Sequence, residues 1–155
     1  MRAALSLILL SLSAPAFAAT PDCAGSVEIA NAKIVRVERN GAMILSDGRA
    51  VMLEGIRLPL ADGGSSALIE DALDDLRALA KAQPLTLTAI APKQDRYDRV
   101  RVQAFGGVWL QEELLKRGMA RVAIAPDRAE CAAELYKAEQ EARAGAQGLW
   151  AYPAF

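Results

Sequence analysis

Residues Lys33 to Leu60 read KIVRVERNGAMILSDGRAVMLEGIRLPL, and the way this stretch divides decides the fold. Its apolar residues come in bursts of strand length: Ile34, Val35 and Val37, then Met43, Ile44 and Leu45, then Val51, Leu53 and Ile56. Between the bursts lie Asn40-Gly41 and Asp47-Gly48, dipeptides that take the positive φ of tight hairpin turns at little cost. The stretch therefore predicts a meander of three short strands.

Downstream, Ala61 to Gly64 reads as a loop, and Ser65 or Ser66 is placed to cap a helix. Leu68, Ile69, Ala72, Leu73, Leu76, Leu79 and Ala80 then recur at helical spacing, with acidic residues early, Arg77 and Lys81 late, and Pro84 as the stop. Glu70, Asp71, Asp74 and Asp75 fall on the polar side of this helix, which makes them a solvated face rather than a metal site. Alternation returns at Leu85, Leu87 and Ala89 and again at Val100, Val102 and Ala104, with Arg99 and Arg101 opposite the valines. These are two half-buried strands. A helix from Trp109 to Arg117 closes on Gly118. The last helix has Asp127 and Glu130 spaced as a capping box, with Cys131, Leu135, Ala138 and Ala142 as its apolar stripe.

Several short motifs in this order are similar to those of the staphylococcal nuclease (thermonuclease) family. Met52-Leu53-Glu54-Gly55-Ile56-Arg57-Leu58-Pro59-Leu60 resembles the family's R-L-x-G-I-D-x-P-E in its Leu53, Gly55, Ile56 and Pro59. Asp95, Tyr97 and Arg99 resemble D-x-Y-G-R with Asp98 in place of the glycine, Gly118-Met119-Ala120 matches a G-x-A, and Gly148-Leu149-Trp150 matches the terminal tryptophan signature, whose tryptophan packs back on the domain. The resemblance runs from about Lys33 to Trp150. The order strand, strand, strand, helix, strand, strand, helix, helix, like the resemblance, implies an α+β domain built on a five-stranded OB-fold β-barrel with three helices.

The first residues stand apart. Arg2 is a minimal basic region, Ala3 to Leu12 an apolar core too short to span a bilayer, and Ala16-Phe17-Ala18 a small-residue cleavage site, the pattern of a secretory signal peptide. The expected division is a signal peptide at 1–18, an N-terminal extension at 19–32, the domain at 33–151 and a tail at 152–155. The mature chain then starts at Ala19, is periplasmic or secreted, and has no membrane span. An uncleaved anchor is the alternative; Asp22 directly before Cys23 does not fit a lipidation signal. In an oxidising compartment an even cysteine count favours a Cys23–Cys131 disulfide, against the alternative of two unpaired small hydrophobes.

The chain has 155 residues, room for one domain with a core. It carries 18 basic and 19 acidic residues, and loss of Arg2 with a leader makes the product one unit more negative than the full chain's −1. That balance counts against strong nonspecific binding to a polyanion. With no histidine, neither a Ser-His nor a Cys-His pair can form, imidazole cannot act as base or ligand, and two cysteines cannot make a four-thiolate zinc site.

Residue by residue, the resemblance implies loss of the family's chemistry. Against V-x-D-G-D-T the chain has Val37-Glu38-Arg39-Asn40-Gly41-Ala42, so a calcium-binding aspartate falls on Gly41. In the second motif the catalytic arginine falls on Met52, the other calcium-binding aspartate on Arg57, a threonine backbone ligand on Leu58 and the catalytic glutamate on Leu60. Arg99 alone is retained. Calcium takes about 6–8 oxygen ligands, and here one carboxylate position is glycine and the other a fixed cation, so no metal and no cofactor is expected. Rebuilding the site from Glu38, Glu54 or Asp62 requires catalytic placement within an ångström.

The expected function is a noncatalytic binding module for an oligonucleotide, another anion or a protein partner. A nuclease with a rebuilt site and an envelope scaffold protein are the alternatives. The anion-site candidates are Arg57 and Arg99, with Arg39 and Arg101 as contributors, since guanidinium groups suit bidentate phosphate binding; the alternative is that they are ordinary solvated arginines.

Overall fold

A computed structural model of the chain describes residues 20–60, 65–90, 94–125 and 129–152. The signal-peptide pattern, the loop at 61–64 and Asp127 lie outside them. Among the described residues eight strands and three α-helices follow in the order β1 (Ser26–Ala32), β2 (Ile34–Val37), β3 (Met43–Leu45), β4 (Ala50–Leu53), β5 (Ile56–Arg57), α1 (Ser66–Lys81), β6 (Leu85–Ala89), β7 (Val100–Phe105), α2 (Leu110–Lys116), β8 (Arg121–Val122) and α3 (Ala132–Ala144).

The expected hairpins form where the turn chemistry puts them. Gly41 and Gly48 take φ of 82° and 89°, Glu38 N–H donates to the Ala42 carbonyl, and Leu45 N–H donates to that of Arg49. The third burst differs from the expected single strand. After Leu53 the chain swerves at Gly55, whose φ is 80°, and a β-carbon there would stand 2.6 Å from Leu135 Cδ1. Beyond this corner β5 leaves the main sheet and pairs with β8, Ile56 opposite Val122 and Arg57 opposite Arg121.

The sheet also departs from a five-stranded barrel. It has six strands in the order β1-β6-β7-β4-β3-β2 and stays open, with β1 and β2 at its edges. All its pairs are antiparallel except β4 with β7. The extra strand, β1, comes from the N-terminal extension and runs against β6 with two register irregularities. Its alternation of Val27 and Ile29 with Glu28 and Ala30 is a weak strand signal, and Val27 lies in solvent.

Helix α1 packs against β2 and helix α2 against β7, and the two helices touch. Ser65 caps α1, its Oγ accepting from Leu68 N–H, and Leu73 and Leu76 of that helix are buried in a common core with Met43, Val51, Leu87 and Leu114. The acidic residues of α1 sit on its outer side, where Asp74 pairs with Arg77 and Asp75 with Arg117. The half-buried reading of β7 is corrected: Gln103 is buried as well as Val102 and Ala104, because α2 packs on this strand and Trp109 Nε1–H donates to Gln103 Oε1 at 3.0 Å.

The start of α3 is corrected too. Cys131, expected inside the helix, is its N-cap in left-handed conformation, with φ 58°. That backbone interrupts helical geometry between Glu130 and Ala132, so Glu130 cannot serve as the third residue of a capping box. Cys131 is held by a disulfide to Cys23, Cα to Cα 5.1 Å. Leu135, Ala138 and Ala142 form the buried stripe as expected. At the C-terminus Leu149 is fully buried, while Trp150 packs under the Arg143 guanidinium, 4.0 Å from the ring centroid. Among the described residues no helix is long and apolar enough to cross a membrane.

Candidate functional site

The corner at Gly55 makes a cavity. As β5 turns away from β7, it opens a cavity of about 720 Å³ walled by β4 and β5, roofed by the Asn40-Gly41 turn, and bounded by Gln94 and Asp95, by Arg101 of β7 and by Ala123 to Ala125 after β8. Met52 and Arg101 stand side by side as Cα partners across the parallel pair.

The five positions singled out as altered, Gly41, Met52, Arg57, Leu58 and Leu60, all line this cavity. Leu58 and Leu60 crowd the glycine: a β-carbon at Gly41 would lie 3.0 Å from Leu58 Cδ1 and 3.7 Å from Leu60 Cδ1. A side chain at position 41 would therefore need Leu58 to shift, and the φ of 82° at Gly41 would strain it in any case.

Of the arginines, Arg57 and Arg101 line the cavity. Arg99 does not. Its Nε donates to Asp95 Oδ2 at 2.7 Å and its Nη2 lies 2.6 Å from the same oxygen, while Asp95 Oδ1 accepts from the backbone N–H groups of Tyr97 and Arg99. The guanidinium stacks on Tyr97 at 4.8 Å. Asp98, where the resemblance expects glycine, holds the positive φ that the turn needs, 57°. Arg39 is on the surface and pairs with Glu70 of α1 at 3.4 Å.

The donor set among the described residues does not suit calcium. Among the described residues no group of three or more histidine, cysteine, aspartate or glutamate side chains could hold a metal ion. The lining carboxylates are Glu54 and Asp95, and Asp95 is closed by Arg99. Asp62, a possible replacement, lies outside the described residues.

The Arg99 guanidinium beside Asp95, with the two backbone N–H bonds, holds the aspartate down to about 2, from 3.8. Below about pH 4 the unfolded chain takes up this proton while the folded chain does not. The pair's stabilisation is thus complete above 3.8 and drains away as the pH falls towards 2. Urea midpoints at about pH 6 and about pH 2.5 are expected to fall further in the wild type than in Asp95→Asn; equal falls would show the pair to be without effect.

Sequence reasoning missed Gln111. This fully buried residue accepts from Ala104 N–H at 3.2 Å through Oε1 and donates through Nε2 to the carbonyls of Val102 at 2.9 Å and Glu54 at 3.4 Å. It fills the gap in the ladder that opens where β4 leaves β7. The signal was a glutamine on the apolar side of an amphipathic helix.

The family model described as Staphylococcal nuclease homologue matches residues 51–152. The chain belongs to this family. The match spans β4 to the C-terminal Gly148-Leu149-Trp150, and so takes in four of the five altered cavity residues, with Gly41 before it. No curated protein matches the chain.

Proposed function

We propose that this staphylococcal nuclease homologue is an exported, noncatalytic module that binds an anion in the cavity without a metal. One observation carries the reading: Gly41, Met52, Arg57, Leu58 and Leu60 all line one cavity, so where the family resemblance puts two calcium-binding aspartates, an arginine and a glutamate the wall presents a glycine, a fixed cation and hydrocarbon. Arg57 stands in the same wall where the resemblance puts a calcium-binding aspartate, and a guanidinium has no acceptor to offer a metal. Phosphodiester hydrolysis needs a group that activates water and cations that stabilise the developing charge, and the hydrocarbon of Leu60 and Met52 supplies neither. Arg57 and Arg101 centre the anion site, with Arg99 held next to it by Asp95. The Cys23–Cys131 disulfide fits an oxidising compartment outside the cytoplasm.

Incubated with single-stranded DNA and RNA, the purified protein is expected to give no cleavage above buffer, in calcium or in chelator. Calcium-dependent cleavage that co-purifies with the protein and is lost in Arg99→Ala would overturn the noncatalytic reading. Anion binding is read separately, by titrating inorganic phosphate, a short oligonucleotide and organic anions in chelator while following the amide resonances of Met52 and Arg101. At least one anion moves them in a salt-sensitive manner. If none does, the cavity is a relic and the domain is a scaffold.

A further inference from the structure

We propose that the Cys23–Cys131 disulfide is a redox switch on the cavity wall. When a dithiol opens it, Cys131 leaves its left-handed backbone and joins α3, and the wall at Ile124 and Ala125 moves with the chain that enters the helix. The switch acts on the wall whatever the cavity binds.

The backbone of Cys131 is what sets this bond apart. At φ 58° and ψ 14° it occupies a region that residues with a β-carbon adopt uncommonly. The other such residues at positive φ among those described are Asn31, Asp98 and Ala146. Asparagine and aspartate tolerate the region, and Ala146 follows the end of α3, where left-handed backbone commonly closes a helix. Cys131 stands at a helix start, where extended backbone is usual. The crosslink supplies the hold: Cys23 lies in the 3-10 turn Asp22–Ala24, and Thr88 Oγ1 fastens that turn to β6 by donating to the Ala24 carbonyl at 2.6 Å.

The same residue governs one side of the cavity. Ala123, Ile124 and Ala125 form the wall after β8, and its near end is fixed without the disulfide, since Val122 N–H donates to Glu139 Oε1 at 3.2 Å and Ala123 N–H to the Gly55 carbonyl at 2.9 Å. Its far end runs on to Cys131, whose φ sets the direction from which the chain enters α3. A change from 58° to a helical value of about −63° swings that approach. Leu135, whose N–H donates to the Cys131 carbonyl at 3.0 Å, keeps its place beside Gly55, so the corner between β4 and β5 stays as it is.

The chemistry is thiol–disulfide exchange. A thiolate of the dithiol attacks Sγ of Cys23, the partly exposed member of the pair, and the Cys131 sulfur leaves with the bonding electrons and is protonated. The second thiol then displaces Cys23. The dithiol ends as a disulfide and the two cysteines as thiols.

The test compares isotope-labelled protein, oxidised and then reduced with dithiothreitol, by backbone resonances. On reduction the Glu130 Cα shift is expected to move to helical values and the Ile124 and Ala125 amides to shift, while those of Val51 and Val102 stay in place. Two variants separate the backbone change from simple loss of a tether. Cys23→Ala/Cys131→Ala should match the reduced protein. Cys23→Ala/Cys131→Gly, in which residue 131 accepts positive φ at no steric cost, should keep Ile124 and Ala125 closer to their oxidised positions; circular dichroism checks that both variants are folded. Unmoved Ile124 and Ala125 amides on reduction, or equal displacement in the alanine and glycine variants, overturns the proposal. Collapse of the whole amide spectrum on reduction overturns it too, because the bond would then hold the fold and not the wall.

Discussion

With Cys23 and Cys131 both replaced by alanine, the free energy of unfolding falls by about 4–5 kcal/mol, the chain-entropy value for a loop of this length. The bond joins residues 108 apart in sequence. It ties the 3-10 turn Asp22–Ala24 to the residue on which α3 begins, and α3 packs on α2 and β8. Strand β1, which follows that turn, has β6 as its neighbour in the sheet and an irregular register; beside it, Thr88 Oγ1 donates to the Ala24 carbonyl at 2.6 Å. The loss is read from urea unfolding of the oxidised wild type against the double variant, with the reduced wild type expected to match the variant. Hydrogen exchange of the β1 amides should rise before that of β7. Equal midpoints for oxidised and reduced protein would show that the crosslink contributes nothing.

Gln111→Leu should cost about 2–4 kcal/mol although it preserves size and adds apolar surface. The reason is the asymmetry of buried hydrogen bonds, in which a group left without its partner costs about 1–3 kcal/mol. Ala104 N–H loses its acceptor inside the sheet. The Val102 carbonyl keeps its bond from Glu54 N–H at 2.9 Å but loses the one from Gln111. The Glu54 carbonyl, at the corner that opens the cavity, loses its tie to α2. Glu112→Leu, one residue along with its side chain in a surface pair to Lys116, is the control and should change stability by no more than about 0.5–1 kcal/mol. A Gln111→Leu variant as stable as the wild type would mean that the sheet relaxes to close the gap. Since the corner would then also shift, the amide shifts of Met52 and Arg57 record whether the cavity moves with it.

The elements set by short-range rules were legible in the sequence. Asn40-Gly41 and Asp47-Gly48 made their turns, Ser65 capped α1, the leucines of α1 faced the core, and the motif order from Met52 to Trp150 pointed to the family that the match over 51–152 bears out. The five positions at which the resemblance implies altered chemistry were named from local motifs; that they line one cavity was not legible there.

What the sequence could not decide was set by residues distant in the chain. Val51, Leu53 and Ile56 have one strand's pattern, but packing of Leu135 against Gly55 and pairing of β5 with β8 divide it. Nothing in the string shows that β1 adds a sixth strand, that the sheet stays open, or that Cys131 stands in left-handed conformation outside its helix. Asp95 and Arg99 are only four residues apart, yet whether Arg99 faces a ligand or its own neighbour depends on the turn that Asp98 makes possible. The chain itself determined which chemical groups are present at each motif. Only the tertiary structure brought Leu58 and Leu60 over Gly41 and set Arg57 and Arg101 around one cavity, because those contacts join segments whose spacing in sequence carries no record of their distance in space.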